Sequence, residues 1–294
     1  KARSRATSAV GLTGQRCDTT RPISVNFHLW KPCNLNCRFC FATFRDVEGY
    51  LSLDDALRLV HVLREAGCEK LTFAGGEPTL YPHIAPLLVE AKSRGLVTSL
   101  VTNGARLEPL IEHHAQSIDW IGFSVDSAIE RIQSLLGRGS GDHVRKTLAL
   151  VEQARSRNIH IKLNTVVTRL NHEEDMTAFV RRVRPERWKV FQVLPMAGQN
   201  DGHVEPLLIT PAEFRAFVDR HASLGADRLA PIVEDNDAMR GSYVMIDPLG
   251  RFYGNAEGRH IYSDPILAVG VERALVQVGW IPEKFIARGG HYQW

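Results

Sequence analysis

The feature that most constrains this chain is a rhythm. From Ser24 to His221, short runs of β-branched and apolar residues alternate with amphipathic stretches of ten to fifteen residues. Strands of that length separated by helices pair in parallel, through right-handed crossovers. The strand candidates are Ser24–Trp30, Lys70–Ala74, Val97–Thr102, Trp120–Val125, His160–Val167 and Trp188–Leu194. The helix candidates are Leu53–Glu65, His83–Arg94, Glu108–Gln116, His143–Ser156, Glu173–Arg184 and Pro211–His221. Ser52 before Asp55, and Thr210 before Pro211 and Glu213, carry N-cap chemistry. Six such units in series predict an α/β fold, either a doubly wound sheet or an incomplete barrel.

After about Ala222 the rhythm changes. Tyr243–Ile246 and Gly250–Tyr253 read as a hairpin around Asp247-Pro248-Leu249-Gly250, followed by short helices near Val269–Gln277 and Pro282–Ala287. The expected organisation is a flexible polar tail over 1–20, a barrel over 21–222, and a cap over 223–294 that is not an independent domain. A chain that opens on Lys1 reads as a fragment.

Composition removes whole classes of function. At 294 residues and 44% hydrophobic the chain can bury a sizeable core. Its 36 basic and 33 acidic residues leave a charge of +3, too near neutral for a nucleic-acid binder. No apolar run approaches the ~18 residues of a membrane span, and no export signal opens the chain. A cytoplasmic protein free of membrane contact is expected.

Five cysteines are too few for a disulfide scaffold. Cys17 and Cys68 stand alone, whereas Cys33, Cys37 and Cys40 follow the first strand as C-x3-C-x2-C. With no export signal, they read as metal ligands in a reducing compartment. Three thiolates leave tetrahedral zinc one ligand short, but they suit a [4Fe–4S] cluster with one open iron. A structural zinc knuckle, or three incidentally buried cysteines, is the alternative.

The other strands also end on polar groups: Gly75-Gly76-Glu77, Thr102-Asn103-Gly104 and Ser124-Val125-Asp126-Ser127. The fifth strand carries Lys162 and Asn164 and is followed by Arg169; the sixth carries Arg187, Lys189 and Gln192. Singly, these are turns, caps and solvent-facing lysines. Together they obey the rule that parallel barrels keep their active sites at the carboxyl ends of the strands, which favours an enzyme. Lys162 with Asn164, and Arg187 with Lys189, are two apart and share a face. Cations converging on one cavity suit a polyphosphate.

The cysteine spacing with Phe39, followed one strand later by Gly-Gly-Glu, resembles the signature of radical S-adenosylmethionine (SAM) enzymes. Ser24-Val25-Asn26-Phe27-His28, Leu136-Gly137-Arg138-Gly139, Arg187-Trp188-Lys189-Val190-Phe191-Gln192 and Gly241-Ser242-Tyr243 sharpen the likeness. With Val269-Gly270-Val271-Glu272 and Arg288-Gly289-Gly290-His291-Tyr292-Gln293-Trp294, residues 21–294 resemble the viperin family, in a prokaryotic form. That resemblance implies a partial (βα)6 TIM-like barrel of the radical-SAM type with a C-terminal α+β cap. It implies a lyase of antiviral defence, a nucleotide dehydratase acting through a 5′-deoxyadenosyl radical. Its substrate would be CTP, UTP or GTP and its product the 3′-deoxy-3′,4′-didehydro analogue, with one further electron consumed.

By the same resemblance, Cys33, Cys37 and Cys40 would hold the cluster, and Gly75, Gly76, Glu77, Asn103, Ser124 and Arg138 would hold SAM. Lys70, Lys162, Asn164, Arg187, Lys189 and Arg288 would contact the nucleotide, mostly its phosphates, with Tyr243 near the radical as a hydrogen-bond or proton source. A flavodoxin- or ferredoxin-type electron donor is implied, and a monomer is expected. Phe41-Ala42-Thr43-Phe44 departs from the Phe-His-Thr of the animal enzymes, and His260 stands where they have a nucleotide-binding lysine. Their membrane-anchoring N-terminal helix is missing from residues 1–20, in keeping with a cytosolic protein. Residues near Asn236 or Met239 are candidates for choosing the base. The rivals are a radical-SAM enzyme of cofactor synthesis or peptide modification, whose usual extra cysteines do not follow Cys68, and a zinc-containing nucleotide- or RNA-binding module.

Overall fold

The computed structural model describes residues 21–294; the tail read over 1–20, with Cys17, lies outside the described residues. Strands β1 (Ser24–His28), β2 (Lys70–Ala74), β3 (Val97–Thr102), β4 (Trp120–Ser124), β5 (His160–Val167) and β6 (Arg187–Gln192) pair in chain order, all parallel. Helices fill the crossovers: α1 (Leu53–Glu65), α2 (Ile84–Ser93), α3 (Leu107–His114), α4 (Glu130–Leu135), α5 (His143–Ser156) and α6 (Thr177–Val183), with α7 (Pro211–Arg220) after β6. The caps form as the sequence indicates. Ser52 Oγ accepts from Asp55 N at 3.2 Å, and Thr210 with Glu213 closes a reciprocal capping box.

Period-two alternation gives the sheet two different faces. Val25, Phe27, Leu71, Phe73, Leu100, Ile121, Phe123, Ile161, Leu163, Trp188 and Val190 are buried in the main core with α1, α2, α3, α5 and α6. The intervening positions face inward and carry the polar chemistry.

The partial barrel is borne out, and the C-terminal region extends it at both edges. A seventh parallel strand, β7 (Pro231–Glu234), pairs with β6. It is four residues long and stands alone after an irregular stretch, so periodicity does not reveal it. The hairpin forms as β8 (Val244–Ile246) and β9 (Arg251–Gly254), with β8 parallel to β1. With β10 (Ile261–Pro265), the order is β10-β9-β8-β1-β2-β3-β4-β5-β6-β7, and β7 and β10 remain separate edges. The helix expected at Val269–Gln277 is divided at Gly270 into Ile266–Val269 and Val271–Leu275. The one expected at Glu173–Arg184 begins only at Thr177, because residues before it form a turn in which Asn171 Oδ1 accepts from Thr168 N at 2.6 Å. Among the described residues no helix is long and apolar enough to cross a membrane.

Candidate active site

The inward positions of the strands line one cavity of about 580 Å³. β1 contributes Ser24, Asn26 and His28; β2, Lys70 and Thr72; β5, Lys162, Asn164 and Val166; β6, Arg187, Lys189 and Phe191. Register makes these rows meet: Lys162 lies opposite Arg187, Asn164 opposite Lys189, and Ser124 opposite Asn164. The residues assigned from the sequence to the cluster, SAM and the nucleotide line this cavity: Cys33, Cys37, Cys40, Lys70, Gly75, Gly76, Glu77, Asn103, Ser124, Arg138, Lys162, Asn164, Arg187, Lys189, Tyr243 and Arg288. Arg169 turns away instead, to an ion pair with Glu213 on α7.

At one end the cysteine loop is held by backbone on two sides. Gly76 N donates to Trp30 O at 2.7 Å and Glu77 N to Pro32 O at 2.9 Å, and a Cβ at Gly76 would overlap the carbonyl oxygens of Lys31 and Pro32. From the other side Asn36 N donates to Gly137 O and Arg38 N to Leu136 O. Gly137, at φ +83°, leaves no room for a side chain against Asn36 O. Cys33, Cys37 and Cys40 are free thiols on this clamped loop. Burial pushes the Cys37 thiol up to about 12 and raises those of Cys33 and Cys40. Cationic iron would be needed to hold them as thiolates. Among the described residues no three His, Cys, Asp or Glu side chains converge as ligands of a single ion do. Three thiols on one loop leave tetrahedral zinc one donor short and match in number the cysteine set that would hold a [4Fe–4S] cluster with one open iron.

Two charged groups fix the surrounding loops. The Glu77 carboxylate, 1% exposed, accepts from Thr102 Oγ1 (2.5 Å), Thr79 Oγ1 (2.6 Å), Asn103 N (2.7 Å) and Thr79 N (3.0 Å). Burial raises its pKa, and these four donors work against that rise. Glu77 therefore ties the ends of β2 and β3 together. Arg138 donates Nε to Asp126 Oδ2 at 2.5 Å, while Asp126 Oδ1 accepts from Val166 N at 2.9 Å. Burial works against the Arg138 charge, but Asp126 and Cys37 hold its pKa above the ordinary value.

The other end is cationic. Lys70, 2% exposed, and Lys162, 9% exposed, stand beside Arg187 without an ion pair to any carboxylate among the described residues. Their neighbours are aromatic. Lys70 contacts the Tyr292 hydroxyl, Lys162 Nζ lies 4.9 Å from the Trp120 ring centre, and the Arg187 guanidinium lies 3.7 Å over Tyr292. Burial, with the neighbouring cations, lowers Lys70 to about 7 and Lys162 well below its ordinary value. Lys189 and Arg288 differ, because buried Glu234 lies 2.5 Å and 3.5 Å from them.

Glu234 and Tyr292 are the site residues that the sequence reading missed. Glu234 sits on β7, which periodicity does not reveal, and Tyr292 is marked in the sequence only by its place in the run Arg288–Trp294. His260 does not line the cavity. It is buried among Phe44, Tyr253 and Tyr262, with Nδ1 3.2 Å from the Tyr262 hydroxyl, and burial lowers it to about 4. Met239 does line the cavity, whereas Asn236 uses its backbone N–H on Gln192 Oε1.

Residues 30–183 match the model of the radical SAM superfamily. The chain is 43% identical over 281 residues to an S-adenosylmethionine-dependent nucleotide dehydratase of Flammeovirga pacifica, a match covering 92% of this chain and 96% of that protein. It is 42% identical over 282 residues to a protein of the same name from Lacinutrix mariniflava, spanning 92% of this chain and 58% of that longer one. It is 35% identical to the S-adenosylmethionine-dependent nucleotide dehydratase RSAD2 of Danio rerio, covering 96% of this chain and 80% of that protein. Two solved structures share the fold: native anSMEcpe with bound AdoMet and Kp18Cys peptide (TM-score 0.69, 15% identity, 89% of this chain and 83% of that one) and Streptococcus suis SuiB bound to precursor peptide SuiA (TM-score 0.67, 17% identity, 90% and 66%). At these identities the likeness concerns the fold alone.

Proposed function

Because this chain belongs to the radical SAM superfamily and, within it, to the S-adenosylmethionine-dependent nucleotide dehydratases, we propose that it dehydrates a ribonucleoside triphosphate. The product is the 3′-deoxy-3′,4′-didehydro analogue, and the substrate is CTP, UTP or GTP. One observation carries this reading: a single cavity has three thiols at one end and, at the other, buried cations without carboxylate partners. Buried cations of that kind are costly unless an anion meets them, and a triphosphate brings several negative charges.

When bound, a [4Fe–4S] cluster and SAM would supply the radical chemistry that removes the 4′ hydrogen. Cys33, Cys37 and Cys40 would hold the cluster. Gly75, Gly76, Asn103, Ser124 and Arg138 form the SAM side of the cavity, and Glu77 serves it from behind by tying its loops. Lys70, Lys162 and Arg187 take the phosphates, Asn164, Lys189 and Arg288 border the rest of the nucleotide, and Tyr243 stands beside the reacting sugar. Residues 21–222 form the radical-SAM barrel and 223–294 complete the nucleotide site. A one-electron donor of the flavodoxin or ferredoxin type, a monomeric state, a cytoplasmic location and a role in antiviral defence through RNA chain termination belong to the same proposal.

The test is anaerobic incubation of the iron-reconstituted chain with SAM, dithionite and each nucleoside triphosphate, read by mass spectrometry. The expected product is a nucleotide lighter by one water, with 5′-deoxyadenosine. No such species with any triphosphate would overturn the reading.

A further inference from the structure

Behind the cationic wall lies a carboxylate with no part in holding the cluster, SAM or the phosphates. Glu234, the last residue of β7, is fully buried, and three cavity-lining side chains stand in front of it. Its Oε1 lies 2.5 Å from Lys189 Nζ and 3.5 Å from Arg288 Nη1, while its Oε2 accepts the Tyr243 hydroxyl at 2.5 Å. Tyr243 Oη in turn accepts from Lys189 Nζ at 2.7 Å. An ammonium has three donors. Lys189 gives one to Tyr243 and is held by ion contact with Glu234, and its side chain lines the cavity.

This arrangement separates the cations into two kinds. Lys70, Lys162 and Arg187 carry charge with no carboxylate in contact, as an anion subsite requires. Lys189 has its charge balanced from behind, so it needs no phosphate to exist as an ammonium. Tyr243 is poorly suited to give up a proton, because burial pushes its hydroxyl well above the ordinary range and Glu234 takes its hydrogen bond.

We propose that Lys189 is the proton donor for loss of the 3′-hydroxyl and that Glu234 is the positioning residue that holds it in place. The inference rests on the dehydratase reading. After the 4′ hydrogen has left as an atom, the C3′–O bond breaks with its electron pair on oxygen. The departing hydroxide takes a proton from Lys189 Nζ and leaves as water. One electron from the external reductant then completes the C3′=C4′ bond, and solvent reprotonates the amine. Burial lowers Lys189 to about 8 against the opposing pull of Glu234, in the range where an acid both holds and releases its proton near neutral pH. The groups facing it are Glu234 on β7, Tyr243 before β8, Arg288 near the C-terminal end, Arg187 on its own strand, Lys70 on β2 and Lys162 on β5.

The test uses the reconstituted enzyme with its best triphosphate and follows 5′-deoxyadenosine, dehydrated nucleotide and nucleotide Kd separately. Lys189→Arg keeps a cation but offers a guanidinium that does not deprotonate near neutral pH. Its dehydrated product should fall roughly a hundredfold or more, the range typical of a lost general acid, while 5′-deoxyadenosine release persists and Kd stays within about threefold. Glu234→Gln should move the basic limb of product formation to lower pH than in the parent, because the ammonium has lost its counter-charge. Product within tenfold of the parent in Lys189→Arg, or an unmoved limb in Glu234→Gln, overturns the assignment. Should Lys189→Arg fail to fold, the limb in Glu234→Gln decides alone. A parent that dehydrates no triphosphate sinks the dehydratase reading and this one with it; an active parent with an undisturbed Lys189→Arg sinks only this one.

Discussion

The two ends of the cavity are built by opposite means. The cysteine end is made of backbone: three short loops lock together through peptide hydrogen bonds and two glycines with no room for a side chain. The cationic end is made of side chains that reach in from β2, β5, β6 and the C-terminal segment, with one carboxylate behind two of its five cations. The first is held by shape whether or not a ligand is present. The second holds like charges together at an electrostatic cost that a polyanion relieves. Rigidity suits a site that aims a reactive carbon, and unbalanced charge suits one that captures a charged substrate.

The largest test of this contrast is Cys37→Ala. Iron should drop from about four per chain to almost none and product formation should vanish, while nucleotide binding measured calorimetrically stays within about threefold. A collapse of both would mean that the two ends are not separable. Gly76→Ala should lower unfolding stability by about 1–3 kcal/mol in denaturant titration, because a methyl group there strikes two carbonyls that cannot retreat. At the opposite end, Lys162→Met should weaken triphosphate binding about tenfold, about 1.4 kcal/mol, with iron content unchanged. It should also raise the melting temperature of the ligand-free chain, since a buried amine beside other cations and without a carboxylate partner has gone.

A smaller effect tests the charge argument by pH. Lys70 sits at about 7 and Lys189 at about 8 in the folded chain, below the ordinary 10.5. Above these values the folded state binds fewer protons than the unfolded one, so ligand-free stability should climb from pH 7 to 9. Saturating triphosphate should flatten that climb, as seen in melting temperatures. The smallest effect expected is that of His260→Phe, which should leave the nucleotide KM within about twofold, because the ring packs outside the cavity.

These two ends also differ in how far the sequence reveals them. The cysteine loop and Gly75-Gly76-Glu77 are contiguous motifs, and their chemistry follows from spacing. The facing pairs Lys162–Arg187 and Asn164–Lys189 were accessible through period-two alternation, because parallel neighbours in regular strands keep register. Glu234 was not. It lies on a four-residue strand after an irregular stretch, and its meaning depends on Lys189 and Arg288, each more than forty residues away along the chain. His260 is a departure that packing accounts for: it stands where the animal enzymes have a nucleotide-binding lysine, and its ring packs against Tyr253 and Phe44 outside the cavity. The four donors on Glu77 were likewise hidden, since a carboxylate after two glycines reads the same whether it meets a ligand or its own chain.

The pairing of β8 with β1 affects how the polypeptide is born. Val25 waits for Val244, about 220 residues later, before the first strand gains its second neighbour. Closing so long a loop is entropically expensive and slow. On the ribosome, the cysteine loop would emerge while one flank of its strand is still bare, and the nucleotide end could not exist until Arg288 had been added. A nascent chain would thus be equipped to take iron long before it could take substrate.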